Sequence, residues 1–192
     1  NSVDMAKIKV ERLNLFYGRF QALKEVSVSV EEKMITSVIG PSGCGKSTLL
    51  RTFNRMNDLT EEVRTTGIIL VDGENILVPD YDLVFLRKKI GMVFQRPNPF
   101  PLSVRENITF GLGVHGINNK TERERIIEES LSAVSLWKEL KNSLDLPALR
   151  LTPEEQQRLC IARLIAVRPE ILLMDEPCSA LDPVATAGIE EL

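Results

Sequence analysis

The stretch Gly40-Pro41-Ser42-Gly43-Cys44-Gly45-Lys46-Ser47-Thr48 constrains this chain more than any other. It fits G-x-x-x-x-G-K-[ST], a loop built to hold phosphate. Gly43 and Gly45 let backbone N–H groups curl round an anion, and Lys46 brings a point charge to the β and γ phosphates. Ser47 is placed to offer its hydroxyl to Mg²⁺. The flanks fit the same design: Met34-Ile35-Thr36-Ser37-Val38-Ile39 reads as a short buried strand. Ser47 to about Asn57 reads as a helix with Leu49, Leu50 and Phe53 apolar, giving the order strand, loop, helix.

Such a loop needs a domain round it, and 192 residues suffice for one core or for one domain with an inserted subdomain. A net charge of −3 gives no reason for general affinity to nucleic acid or anionic lipid. No apolar run approaches the roughly 20 residues of a spanning helix, and no basic-then-apolar leader opens the chain, so the expected place is the cytoplasm. Cys44, Cys160 and Cys178 have no CxxC spacing and read as buried, reduced thiols, with alkylation of Cys44 expected to block nucleotide binding.

Ile8, Val10, Leu13 and Leu15 alternate imperfectly and Val26 to Val30 strictly, which predicts antiparallel strands with one wet face. Between them, Tyr17 precedes Gly18 and is either a turn aromatic or a surface on which adenine stacks. Gly67 to Gly73 is a strand ending in a turn, and Lys89 to Phe94 a strand that delivers Gln95 to a loop whose Pro97, Pro99 and Pro101 forbid regular structure. From Ser103 to about Val167 the pattern is helical, with Thr121-Glu122-Arg123-Glu124 as a capping box and Trp137 as a packing residue. His115, among Gly111, Gly113 and Gly116, is a loop residue with no metal partner at a useful spacing. Finally Ile171 to Met174 is an apolar strand ending in Asp175 and Glu176. At the carboxyl end of a parallel strand, Asp175 can hold a Mg²⁺ water shell and Glu176 can orient or deprotonate an attacking water.

The order of Tyr17, the 40–48 loop, Gln95, Leu151 to Arg158, Ile171 to Pro177 and Ser179-Ala180-Leu181-Asp182 resembles that of ATP-binding-cassette transporter ATPases. Within that family the chain looks most like the ATP-binding subunits of bacterial phosphate importers. The strings Asn54 to Leu59, Phe94 to Pro101 and Asp175 to Pro183 carry that finer resemblance. It implies an α/β P-loop NTPase core with a mostly parallel sheet, an N-terminal antiparallel β-subdomain and an inserted α-helical subdomain. The implied bounds are 1–102 for the strand core, 103–167 for the helical subdomain and 168–192 for the return to the core.

The resemblance also implies ATP and Mg²⁺ as cofactors, adenine stacking on Tyr17, and Mg²⁺ held by Ser47, Gln95 and, through water, Asp175. Glu176 is the implied catalytic carboxylate, with Gln95 beside it sensing the membrane subunits. Ser179, Ala180, Leu181 and Asp182 would cross to a second copy. The implied partners are that copy, in a head-to-tail dimer over two ATP molecules, a membrane permease and, indirectly, a solute-binding protein. Nucleic acid is not among them, since cassettes acting there carry two cassettes or a long coiled coil. The implied location is peripheral, on the cytoplasmic face of the cell membrane.

The chain departs from the family twice. Where the family has Leu-Ser-Gly-Gly-Gln, this chain has Leu151-Thr152-Pro153-Glu154-Glu155. The family's glycines let that helix end approach a partner's γ-phosphate. Thr152 is instead a good N-cap, Pro153 suits the first helical position, and Glu155 completes a capping box. Two unit charges about 4 Å apart repel by roughly 4 kcal/mol at an effective dielectric of 20, so Glu154 and Glu155 oppose a phosphate. The expected result is ATP binding with a weakened ATP-bound dimer. The second departure is that the chain stops at Leu192, before the family's switch histidine, so a truncated C-terminal part and slow turnover are expected. A nucleotide-binding module without useful ATPase activity is the alternative.

Overall fold

A computed structural model describes residues 6–176. The chain divides into two compact units, Asn1–Arg87 and Lys88–Leu192.

The first unit is built on an antiparallel sheet in the order β2-β1-β3-β4. Its strands are β1 (Ile8–Tyr17), β2 (Phe20–Val30), β3 (Val63–Val71) and β4 (Glu74–Asn75). The imperfect alternation of β1 has a structural cause. Registers shift between Val10 and Leu13, where Arg12 takes φ 46°. An extra residue there turns the second half of the strand over, so Ile8, Val10, Leu13 and Leu15 are all buried. Strand β3 begins at Val63, earlier than Gly67, because Tyr17 to Asn14 of β1 give Val63 to Thr66 a ladder partner. Helix α1 (Lys46–Phe53) buries Leu49 and Phe53 and is shorter than expected, since Met56–Leu59 tightens into a 3₁₀ turn. Helix α2 (Leu83–Lys89) starts where the Asp82 carboxylate accepts from the N–H groups of Val84 and Phe85.

One expectation for this unit is overturned. Met34 to Ile39 is not a buried strand: no strand lies between Glu31 and Gly45, and Ile35 and Ile39 are 87% and 93% exposed. The run has a strand's composition, but a strand exists only where its N–H and C=O groups enter a ladder, and no ladder among the described residues includes it.

The second unit joins β5 (Ile90–Val93) and β6 (Ile171–Met174) in parallel; among the described residues that is the only parallel pairing, so the expected mostly parallel sheet is corrected, 34–39 having entered no ladder. Around them stand α3 (Val104–Val114), α4 (Lys120–Ala133), α5 (Trp137–Leu140) and α6 (Pro153–Ala166). Their apolar faces form one core that includes Val104, Ile108, Leu131, Leu136, Leu159 and Ile161, with Trp137 packed at its edge as expected. Gly91 lets α6 lie close to β5, since a Cβ there would run into Leu164. The capping box expected at Thr121 to Glu124 is corrected: Asn119 is the N-cap and accepts from Glu122 N–H, which puts Thr121 inside the helix. The expected box fails because Asn, at least as good a cap as Thr, lies two residues earlier.

Candidate nucleotide site

In the first unit the 40–44 segment is exposed, so Cys44 is an exposed thiol and not the buried one expected; α1 follows the segment, and loop and helix stand as expected without the preceding strand. Gly45 is the N-cap of α1 at φ 99°, a conformation that costs glycine little and other residues more. Its lack of a side chain also matters sterically, because a Cβ would meet Leu23 Cδ2 at 3.0 Å and the Ala22 carbonyl at 3.1 Å. No side chain caps this helix, so its first N–H groups are not consumed by a cap. The Lys46 ammonium donates to the Gly40 and Pro41 carbonyls, each at 3.0 Å, which folds the side chain back over the loop. An uncapped helix end, a lysine drawn over the loop and the Ser47 hydroxyl beside it fit a phosphate group with its Mg²⁺.

Tyr17 ends β1 and is half-buried. Its hydroxyl donates to Asn57 Oδ1 at 2.9 Å, and Asn57 Nδ2 donates to the Thr48 carbonyl at 2.8 Å. The phenol is thereby tied, through one buried amide, to the helix that opens with Lys46. Asn57 falls within the Asn54 to Leu59 string, but its part in holding Tyr17 shows only once its neighbours are known.

In the second unit the geometry follows from the ladder. Strands β5 and β6 run parallel with Val93 opposite Met174, and Asp175 N–H donates to the Val93 carbonyl at 3.1 Å. Gln95 and Glu176 each lie two residues beyond that last pair, so they leave the same end of the sheet as neighbours. Gln95 Nε2 donates to Glu176 Oε2 at 2.8 Å. Asp175 is buried at 3% exposure, whereas Gln95 and Glu176 are exposed. An amide donor on a solvent-facing carboxylate is an arrangement that can orient a water.

Helix α6 begins as expected. Thr152 Oγ1 accepts from Glu155 N–H at 3.2 Å, and the Glu155 carboxylate accepts from Thr152 N–H at 2.7 Å, with Pro153 in the first turn. Glu154 pairs with Arg158 at 3.1 Å, and Arg158 also reaches Glu139 at 3.6 Å. Glu154 is therefore partly neutralised. The donors at this helix end are taken up by Thr152 and Glu155.

Three residues that the sequence did not single out hold the proline-rich loop. Asn107, fully buried on α3, accepts from Phe100 N–H at 2.8 Å and donates to the Phe100 and Ser103 carbonyls. Gln157 and Arg163 on α6 contact Phe94 and Asn98. The buried Cys160 thiol beside them has its pKa pushed up by burial. His115 closes α3 as its C-cap, and burial, with the charge of Lys88, pushes its pKa down. Among the described residues no group of three His, Cys, Asp or Glu is placed to hold a metal ion. Ser179, Ala180, Leu181 and Asp182 lie outside the described residues.

A family model described as ABC transporter matches residues 23–179. Among solved structures, cbiO1 of Clostridium perfringens, part of the ABC transporter complex cbiONQ, is 29% identical with a TM-score of 0.75. That match covers 97% of this chain and 71% of cbiO1. The ATP-binding cassette MJ0796, a dimer in a post-hydrolysis state bound to ADP and Pi, is 30% identical with a TM-score of 0.82, over 96% of this chain and 80% of its own. A bacterial Atm1-family ABC exporter with ATP bound is 25% identical with a TM-score of 0.82, over 100% of this chain and 32% of the exporter. The matched span takes in well over half of the sequence, and the chain belongs to the ABC transporter family as one of its ATPase domains.

Proposed function

We propose that this chain is the ATP-binding subunit of a bacterial importer for inorganic phosphate, and that its turnover is restrained by the end of α6. The observation that carries the hydrolytic reading is the Gln95–Glu176 contact of 2.8 Å at the end of a parallel strand pair. Lys46 and the first N–H groups of α1 bind the ATP phosphates, and Tyr17 offers its ring to adenine. Mg²⁺ bound with ATP would offset phosphate charge; Ser47, Gln95 and, through water, Asp175 are its proposed holders by the family resemblance. Glu176 orients a water and takes its proton, while Gln95 holds that carboxylate in place.

A second copy and a membrane permease are the proposed partners, with a solute-binding protein acting through the permease. No helix among the described residues is long and apolar enough to cross a membrane, in keeping with a peripheral subunit on the cytoplasmic face. Gln95, the proline-rich loop and the exposed Phe110 and Val114 of α3 form the proposed permease-facing surface. Phosphate is the proposed solute because of Asn54 to Leu59, Phe94 to Pro101 and Asp175 to Pro183.

The capping box favours a second reading, a nucleotide-binding module without useful ATPase activity. Steady-state hydrolysis of Mg-ATP by the purified chain and by Glu176→Gln separates the two. Slow turnover removed by Glu176→Gln supports the ATPase, and equal background in both supports the module. Growth on limiting phosphate, in a strain whose importer lacks its own cassette, tests the solute. Failure to restore growth when the chain co-purifies with the permease and hydrolyses ATP in that complex would contradict the phosphate assignment.

A further inference from the structure

The loop carrying Gln95 is gripped by one helix at two points. Gln157, fully buried on α6, donates from Nε2 to the Phe94 carbonyl at 3.0 Å. Six residues on, about 9 Å along the helix axis, Arg163 donates to the Asn98 carbonyl and to Asn98 Oδ1, each at 3.2 Å. Its guanidinium also lies 4.3 Å from the centre of the Phe100 ring. One anchored residue therefore immediately precedes Gln95 and another follows it by three. Little slack remains between them, because Pro97 fixes its own φ and restricts Arg96.

We propose that Gln157 and Arg163 are positioning residues which set Gln95 against Glu176, so that the Gln95–Glu176 contact follows the placement of α6. The β5–β6 ladder brings the two strand ends together; Gln95 is exposed, so beyond that ladder the bracketed backbone, not side-chain packing, fixes it. Because α6 opens with Thr152 to Glu155, one rigid element carries both the closed helix end and the grip on Gln95. The proposal rests on reading Gln95 and Glu176 as the hydrolytic pair, and its test is built to stand apart from that reading.

The test uses the whole chain with ¹⁵N labelling, the Gln95 side-chain amide being assigned through Gln95→Glu. In Gln157→Leu and in Arg163→Met that resonance moves toward the position of a free glutamine amide. In Arg163→Lys it moves part of the way, while Arg125→Met, in an exposed ion pair of α4, leaves it in place. In turnover, each clamp variant lowers kcat about five- to tenfold with KM for ATP unchanged, the size expected for losing one or two such bonds. Added to Gln95→Ala, neither variant lowers kcat further, because its effect passes through Gln95. An unmoved resonance, or losses that multiply with that of Gln95→Ala, overturns the proposal. If the unmodified chain shows no turnover, the hydrolytic reading fails and the amide resonance still decides the clamp. Should Gln157→Leu not fold, the half-buried Arg163 decides alone.

Discussion

The N-termini of α1 and α6 solve the same problem in opposite ways. Each helix begins with N–H groups that its own turns cannot satisfy. At α1 the cap is Gly45, with no side chain to accept from them, and Lys46 sits beside the opening. At α6 Thr152 and Glu155 satisfy one donor each, and Pro153 lacks one altogether. The other helices of seven or more residues resemble α6: Ser103, Asn119 and Asp82 accept from the first turns of α3, α4 and α2. Among the described residues α1 is the exception. An end left uncapped, with a cation at hand, is fit for an anion, whereas a capped end contributes to stability and offers a phosphate little.

That contrast can be broken or sharpened by substitution. The largest effect is expected at Glu176: Glu176→Gln lowers kcat by about 10²- to 10⁴-fold in steady-state hydrolysis while ATP affinity is kept. Loss of affinity instead would move Glu176 from chemistry to binding. Next, Lys46→Met weakens ATP binding by about 10- to 100-fold in a fluorescent-nucleotide titration, the worth of a charge-assisted phosphate contact. An unchanged affinity would break the claim that α1 is the open end. Thr152→Ala costs about 1 kcal/mol in denaturant unfolding and leaves ATP affinity in place, because α6 uses its cap for stability.

The smallest effect is at α3. Hydrogen bonds from Ser103 hold the Glu106 carboxyl below its ordinary pKa of 4.5. A carboxyl with a depressed folded-state pKa contributes stability that is present above the unfolded value and lost as pH falls through the folded one. Thermal unfolding from neutral pH into the region below 4.5 therefore shows an acid loss that Glu106→Gln diminishes.

The parts of the site that were legible in the sequence are those fixed by local chemistry. Gly45 and Lys46 satisfy a loop's needs at set spacings, Thr152 and Glu155 satisfy a helix end's, and Asp175-Glu176 closes an apolar run. Met34 to Ile39 was misread because strand composition says nothing about whether a ladder partner is present. Asn107, Gln157 and Arg163 were missed because their role depends on a loop remote in sequence. A signal for one of them existed: Asn107 falls at helical spacing between Val104 and Ile108, a polar residue on an apolar face. Three prolines nearby leave backbone groups in want of partners, and a buried amide is suited to supply them. The bulge at Arg12 likewise left its trace in the spacing of Ile8, Val10, Leu13 and Leu15.

The most direct measurement of the central claim is sedimentation of the chain carrying Glu176→Gln, with and without Mg-ATP. Beside it runs the same chain with Thr152-Pro153-Glu154-Glu155 replaced by Ser-Gly-Gly-Gln. The closed-end account predicts ATP-dependent dimers of the replaced chain and little or no dimer of the original at the same concentration. Equal dimerisation of both would contradict it, and would mean that the cap on α6 yields to a partner's phosphate at no measurable cost.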